Sequence, residues 1–315
     1  MHHKWKVSNC RDWYRLRENR IVLLPLISSI LLEHQKSGVA APPINTWWQE
    51  NGIRQAGGPR ANAHNGHSAT MRALILYPTN ALVEDQVSRL RRAVRQLVDP
   101  STGAPLVWFG RFTGEQVDEK GNRPPGDKGD RADENHLKVK LREYERDYAE
   151  AEQRAEESPE LRSLLDYLPN PLSGELLSRL DIREAPPDIL VTNHSMLNVM
   201  LMRSKEDSVF ESTRDWLKED SAHKFTLIVD ELHLHRGSAG AEVGLVIRNL
   251  LRRIGLRSDS SQFQVIATSA SLGGTDETKT FARRFFGVAE SRFEVVDGAP
   301  IELVGPRKLM ANSVI

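Results

Sequence analysis

Two adjacent carboxylates, Asp230 and Glu231, come directly after the apolar run 225–229, and His233 follows two residues later. A run of this kind predicts a strand that is buried on both faces. Acids at the end of such a strand suit a magnesium–nucleotide site, because Mg²⁺ prefers oxygen ligands and keeps several of its waters. In that interpretation Asp230 holds the metal ion and Glu231 polarises an attacking water. The alternative is that the two acids only cap a helix.

The elements that must position these acids are short apolar strands separated by helical patterns. Apolar residues recur at three- and four-residue steps over 81–98 and 239–255, and Gly255 is placed to end the second helix. This alternation predicts an α/β fold with a doubly wound parallel sheet, whose ligands bind at the carboxyl ends of the strands. The four predicted strands are 73–78, 188–193, 225–230 and 263–268.

Composition indicates a globular protein without a membrane-spanning segment. The chain has 315 residues, and an apolar share of 39% is enough to fill a core. Its 43 basic and 43 acidic residues balance, so net charge indicates neither a nucleic-acid nor a membrane partner. The single cysteine, Cys10, fits a reducing compartment, and we expect a cytoplasmic protein. The longest apolar run, 21–32, contains a proline and two serines and is too short to span a bilayer.

Two stretches interrupt the alternation. Residues 39–70 are rich in Gly, Pro, Asn and His and lack periodicity, so they are expected to form a loop insertion. Residues 115–186 begin with Gly, Pro and Asp and continue as a charged stretch with helical spacing. We expect this second insertion to lie beside the sheet. The residues that keep the helical spacing are Leu137, Leu141, Tyr144 and Tyr148.

Short polar segments accompany the acids at 77–86, 111–115, 187–197 and 269–271. In that order they resemble motif Ia, motif Ib, the segment before motif II, and motif III of the superfamily 2 DExH/DEAD-box helicases. Asp-Glu-Leu-His at 230–233 resembles motif II itself. The continuation is similar to the Lhr-like and YprA-like group and consists of His235-Arg236-Gly237, Gly240 and Arg252-Arg253.

The resemblance covers most of residues 21–300 in segments and implies the first RecA-like domain of an ATP-dependent helicase. It implies ATP and Mg²⁺ as cofactors and DNA as the partner, with RNA as the alternative. ATP would lie at Asp230 and Glu231, and the motif II histidine would work with motif III to couple nucleotide state to the grip on the strand. The residues implied in catalysis and coupling are Glu231, His233, Ser269 and Ser271.

Motifs Ia and Ib and the segment before motif II follow strands or lie in turns. Their backbone N–H groups and short side chains could meet phosphates and sugars without reading bases. Each segment also has an ordinary structural interpretation, either a helix N-cap or a plain turn. Outside these segments, Arg252 and Arg253 could be a solvated helix end. Ser269 and Ser271 could likewise cap a helix. The candidate nucleic-acid contacts are Thr79, Asn80, Thr113, Gly114, Thr192 and Asn193.

An ATPase of this class also needs a glycine-rich loop that ends in Gly-Lys-Thr, because backbone amides and one lysine must cradle the phosphates. The sequence contains no such loop. Residues 23–34 nevertheless resemble the helix that follows the loop in YprA-like proteins. The loop is therefore expected just before residue 23, where the chain reads CRDWYRLRENRIV over residues 10–22.

The genetic code offers an explanation for this segment. Residues 11–20 can be encoded by AGG GAC TGG TAC CGG CTC CGG GAA AAC AGA. Read one base later, these nucleotides encode Gly-Thr-Gly-Thr-Gly-Ser-Gly-Lys-Thr-Glu, and residues 21 and 22 can continue as Ser-Phe. Trp13 followed by Tyr14 forces a glycine in the shifted frame. We therefore expect residues 1–22 to be an out-of-frame translation of a phosphate loop, the alternative being a divergent natural N-terminus.

The predicted organisation is a RecA-like lobe over 23–300 followed by a truncated tail, 301–315. The resemblance also implies a second RecA-like lobe, and nothing in this sequence matches it. We expect a helicase fragment that is inactive alone. Two other functions remain open: a non-catalytic nucleic-acid-binding or assembly module that kept the fold, and an unrelated P-loop-type α/β ATPase.

Overall fold

The computed structural model describes residues 6–9, 18–50, 52–61, 68–114, 129–269 and 275–297. Its centre is one eight-stranded sheet in which every strand pairing is parallel. The strand order is β4-β3-β5-β2-β6-β7-β1-β8. The strands are β1 (Lys6–Asn9), β2 (Ala73–Tyr77), β3 (Phe109–Phe112), β4 (Glu175–Leu176), β5 (Ile189–Asn193), β6 (Phe225–Val229), β7 (Phe263–Ser269) and β8 (Glu294–Asp297).

The four predicted strands are confirmed as β2, β5, β6 and β7. All residues of β2, β5 and β6 are buried, because helices cover both faces of the sheet. Each also pairs in register with its neighbours, for example Ile75 with Val191 on one side and with Ile228 on the other. These strands form the rigid centre that holds the loops at the carboxyl edge.

Helices alternate with the strands as the sequence predicts. The two predicted helices are confirmed, although the first ends at Val94 and not at residue 98. The second ends at Arg253, and Gly255 follows with φ +75°, a left-handed conformation that favours glycine. The helices are α1 (Glu18–Ser37), α2 (Asn80–Val94), α3 (Gly129–Glu157), α4 (Arg179–Glu184), α5 (His194–Met202), α6 (Asp207–Glu219), α7 (Gly237–Arg253) and α8 (Thr275–Phe286).

Successive residues of each central strand point into two different cores. Ile75 and Tyr77 pack with apolar residues of α1 and α2, whereas Leu74 and Leu76 pack with residues of α5, α6, α7 and α8. This division follows from the two-residue period of a strand. It confirms the doubly wound α/β fold.

The two predicted insertions pack against each other. Trp48 donates from Nε1 to Glu145 Oε2 of α3 at 2.6 Å, and Arg142 of α3 donates from Nε to the Trp48 carbonyl oxygen at 2.6 Å. Leu137 and Leu141 complete this small core. The end of the second insertion departs from the prediction, because β4 pairs with β3 and thus lies in the sheet, not beside it.

None of the helices in the described parts of the chain is long and apolar enough to cross a membrane. Residues 1–5, 10–17 and 301–315, to which the sequence assigns an out-of-frame start and a truncated tail, lie outside the described residues.

Candidate functional site

The parallel sheet brings the predicted site residues to one edge. The carboxyl ends of β3, β5, β2, β6 and β7 lie side by side in that order. Three of these ends carry the candidate nucleic-acid contacts, β6 carries the two acids, and β7 ends at Ser269. The acids therefore stand between the segments that resemble motif Ia and motif III. Residues far apart in sequence become neighbours because all these strands run in the same direction.

Asp230 is held by two donors on one oxygen. Its Oδ1 accepts the backbone N–H of Glu231 at 2.9 Å and the hydroxyl of Thr268, the penultimate residue of β7. Its own N–H continues the sheet by donating to the Leu76 carbonyl oxygen at 3.2 Å. No described residue hydrogen-bonds to Oδ2, which leaves this oxygen available for a ligand. The carboxylate is thus fixed in orientation with one oxygen open.

Glu231 has an uncommon backbone. Its φ of 53° is the only positive value at a non-glycine residue among the described residues. The side chain is only 12% exposed, and burial raises the pKa of its carboxyl group, while the neighbouring His233 acts in the opposite direction. A raised pKa makes the carboxylate a better proton acceptor. The helix-capping alternative is not supported, because the Glu231 side chain makes no capping hydrogen bond.

His233 lies next to this carboxylate. Its Nδ1 is 3.0 Å from Glu231 Oε2, and neither atom has a hydrogen-bond partner among the described residues. Ser269 is also buried and its hydroxyl makes no hydrogen bond there. The next helix, α8, begins six residues later at Thr275, so capping of a helix by Ser269 is not supported. Ser271 lies outside the described residues.

A second histidine, His235, is enclosed behind the acids. It is 5% exposed, stacks on Phe285 of α8 with ring centroids 5.8 Å apart, and meets His194 edge-on at 6.2 Å. Burial is the main reason that its pKa falls to about 4, and the charges of His194 and His233 lower it further. His235 is therefore neutral in the folded protein at pH 7. Its stacking on Phe285 connects the segment after Glu231 to α8, the helix that follows β7.

Acid is expected to destabilise the protein through His235. In the unfolded chain its pKa returns to 6.5, so the unfolded state takes up the proton first as the pH falls. Above pH 6.5 the His235 imidazole adds nothing to the pH dependence of stability. Between pH 6.5 and about 4 the free energy of unfolding should fall by about 3 kcal/mol in total. Urea denaturation at a series of pH values measures this loss.

His235→Phe keeps the ring on Phe285 and removes the titrating group, so its stability should be flatter over the same pH range. His136→Phe, at an exposed position of α3, is the matched control and should keep the slope of the unsubstituted chain. An unchanged slope in His235→Phe would show that the acid sensitivity arises elsewhere.

The ends of β3 and β5 are more enclosed than the sequence suggests. The side chains of Thr113 and Thr192 are buried, and the Thr192 hydroxyl donates to the Phe112 carbonyl oxygen at 2.6 Å. Arg179 donates to the Thr113 carbonyl oxygen and lies over the Phe112 ring at 4.8 Å. Both side chains face the protein, so the assignment of these two threonines as nucleic-acid contacts stays a prediction, with their backbone groups as the remaining contacts. Exposed Gly114 remains open at this turn.

The end of β2 is more open. Thr79 is exposed at the N-cap position of α2, yet its side chain makes no capping hydrogen bond, so the capping alternative is not supported. Asn80 is half-buried and accepts a hydrogen bond from Asn193 Nδ2 on Oδ1 at 2.5 Å. Asn193 in turn accepts the Met196 N–H on its own Oδ1 at 2.8 Å and so caps α5.

Sequence reasoning missed Thr268 and Arg179. Thr268 carries a signal in hindsight, since it is a polar residue directly before Ser269 in an otherwise apolar strand end. Arg179 carries none, because its contact with Thr113 spans 66 residues. Arg253, predicted as part of a family motif or a solvated helix end, pairs with Asp207 and lies 5.9 Å from the centre of the Phe210 ring. Arg252 is exposed.

The segment expected to hold the phosphate loop, residues 10–22, begins directly after β1 and overlaps the start of α1. β1 pairs with β7, with Asn9 opposite Ser269, so its carboxyl end lies at the same edge as the acids. α1 begins at Glu18. One strand, β7, separates β1 from β6. Residues 10–17 between the two elements are not among those described.

Comparisons with known proteins give one sequence relative and several structural neighbours. No family model matches the chain. The Druantia protein DruE of Escherichia coli is 32% identical in an alignment of 270 residues that covers 72% of this chain and 14% of that protein. The chain thus spans about one seventh of the length of this relative.

The structural neighbours include crystal structures of the DUF1998 helicase MrfA. The protein alone has a TM-score of 0.43 and 18% identity, over 93% of this chain and 27% of that one. MrfA bound to DNA, and MrfA bound to DNA and AMPPNP, each have a TM-score of 0.45 and 19% identity, over 94% of this chain and 25% of theirs. The chain is therefore similar in sequence to part of a Druantia protein.

Proposed function

We propose that this chain is the N-terminal ATP-binding lobe of an ATP-dependent nucleic-acid helicase or translocase of the DExH-box type, acting on DNA. The observation that carries the proposal is the position of Asp230 and Glu231. They lie at the carboxyl edge of a doubly wound sheet, with the motif III segment on one side and the motif Ia segment on the other. The relation to DruE and the helicase and DNA named for the neighbouring structures agree with it.

The residues at the edge fit a magnesium ion. Asp230 is oriented by two donors on Oδ1, and its Oδ2 faces no donor among the described residues, which suits a single carboxylate ligand of an ion that keeps its waters. Groups of three or more His, Cys, Asp or Glu that could hold a metal are absent from the described part of the chain, so a metal cage is not the expected kind of site. When bound, Mg²⁺ would neutralise charge on the phosphates.

The remaining roles follow from the surroundings of each group. Glu231, with its raised pKa, would accept a proton from the attacking water. His233 lies beside this carboxylate and would respond to its change in charge. Ser269 and Ser271 would link this group to the strand-binding edge. Gly114 and the turn of Thr79 and Asn80 are the most open candidates for contacts with the strand backbone.

The missing phosphate loop is part of the same proposal. β1 and α1 stand as the strand and helix that such a loop must join, and α1 begins at residue 18, where the shifted reading places the lysine. Sequencing the gene tests the frameshift directly. Codons over residues 11–22 that do not encode a glycine-rich loop in the shifted frame would show that the N-terminus is a natural, divergent one.

Two measurements on the purified 315 residues test the function. We expect salt-dependent binding of a fluorescein-labelled oligothymidylate, because phosphate contacts release counterions. We expect negligible ATP hydrolysis, because the sequence lacks the Gly-Lys-Thr loop. Absence of strand binding at low salt would contradict the proposal, and strand-stimulated turnover would contradict the assigned cause of inactivity.

A second candidate function is a nucleic-acid-binding or assembly module without hydrolysis. The carboxyl edge of the sheet is rigid, because Thr113, Thr192 and His235 are buried there. A binding module could keep such an edge after losing its phosphate loop. Strand affinity that never responds to nucleotide, even after the loop is restored, would favour this alternative.

A further inference from the structure

The side-chain amides of Asn80 and Asn193 connect the ends of two neighbouring strands. Asn193 is the last residue of β5, and Asn80 follows β2, which pairs with β5 along its whole length. The hydrogen bond from Asn193 Nδ2 to Asn80 Oδ1 joins residues 113 positions apart in the sequence. Asn193 is 9% exposed, whereas Asn80 is half-buried and faces the edge.

The orientation of both amides follows from one backbone group. The Met196 N–H can only donate, so the group of Asn193 that faces it must be the oxygen. The Asn193 amino group then points to Asn80, and the Asn80 group that faces an N–H donor must in turn be its oxygen. The Asn80 amino group is left pointing outward, and no described residue accepts a hydrogen bond from it.

We propose that Asn193 is a positioning residue that locks the amide of Asn80, so that its Oδ1 is held toward Asn193 and its amino group is presented to a ligand as a hydrogen-bond donor. Phosphate oxygens only accept hydrogen bonds, so each of them can meet this donor, whereas base edges carry both donors and acceptors. The locked amide therefore matches the phosphodiester backbone whatever the base sequence. This inference rests on the proposed function, since it assigns the chemistry of one of its contacts.

A double-mutant cycle on strand affinity tests the lock. Asn193→Ser keeps an oxygen to cap α5 but removes the amide donor, and Asn80→Ala removes the group that Asn193 would position. Each should weaken binding of fluorescein-labelled oligothymidylate about five- to tenfold, the usual effect of one lost hydrogen bond. If Asn193 acts through Asn80, the double variant should bind no more weakly than Asn80→Ala alone.

Asn170→Ser is the control. Asn170 accepts the Leu172 N–H at 2.9 Å in the loop before β4, away from the carboxyl edge, so its replacement should leave strand affinity unchanged. Circular dichroism melting of every variant checks that the fold is kept. Additive losses in the cycle, or no loss in Asn193→Ser, would overturn the positioning role.

NMR measurement of hydrogen exchange at the side-chain amides tests the orientation of Asn80 and Asn193 without any nucleic acid. The Asn193 amino protons should be protected and those of Asn80 should exchange rapidly. The reverse pattern would mean that the amides are flipped and would overturn the inference. If the unsubstituted chain binds no strand, the proposed function and the phosphate role fail together, while the exchange pattern still decides the orientation of the amides.

Discussion

A chain whose residues 11–22 are replaced by Gly-Thr-Gly-Thr-Gly-Ser-Gly-Lys-Thr-Glu-Ser-Phe is expected to bind ATP on the order of 100-fold more tightly than the present chain, or better. The replacement supplies backbone N–H donors between β1 and α1 and a lysine at the first position of α1, at the edge where Asp230 lies. Two charge-assisted hydrogen bonds at about 1.5–3 kcal/mol each account for a factor of this size. Calorimetric titration with ATP and Mg²⁺ measures it.

The matched control carries the same replacement with alanine in place of the lysine, which keeps the glycines and removes the charge. It should lose most of the gained affinity. A gain that survives this change would indicate nonspecific binding, and no gain in the restored chain would contradict the assignment of β1 and α1 as the flanks of a phosphate loop. A change in oligothymidylate affinity when ATP is added to the restored chain would support the helicase function over the binding module.

Gly240→Ala is expected to lower the free energy of unfolding by about 4 kcal/mol or more. A Cβ at this position would lie 1.9 Å from the His235 carbonyl oxygen and 2.5 Å from its carbonyl carbon. Both are backbone atoms, so no side chain can rotate away to relieve the contact. Either α7 or the segment that carries Glu231 and His233 must shift. Urea denaturation measures the loss, and the strand affinity of the variant reports whether the edge is disturbed.

Gly114→Ala is the control for stability, because a Cβ there would meet nothing within 4 Å. It should change the free energy of unfolding by about 0.5 kcal/mol or less. A Gly240→Ala variant as stable as this control would show that the packing of α7 on His235 is looser than the structure has it.

The central sheet was readable from the sequence because its strands are buried on both faces. Such strands appear as unbroken apolar runs, and β2, β5, β6 and β7 were predicted with small errors at their ends. The shorter strands β1, β3, β4 and β8 were missed. Their two to four residues contain no apolar run longer than two residues, and each pairs with a neighbouring strand that offers it a partner.

The position of the site was also determined by the sequence. Polar residues that follow apolar strands must gather at one edge once all the strands are parallel, which places Asp230 next to the ends of β2 and β7 without knowledge of any contact. The residue types then limit the chemistry, since adjacent carboxylates favour a hard metal ion and a polarised water. The proposed class of activity rests on information of this local kind.

Only the tertiary structure decided which of these groups face outward and which already make a hydrogen bond or a ring contact within the protein. The hydroxyl of Thr192 is taken up by the carbonyl of Phe112, and the stacking of His235 on Phe285 depends on how α8 packs. The amide of Asn80 is oriented by a residue 113 positions away. The direction of a hydrogen bond and the burial of a side chain depend on elements distant in sequence, and local composition and spacing carry no record of those neighbours.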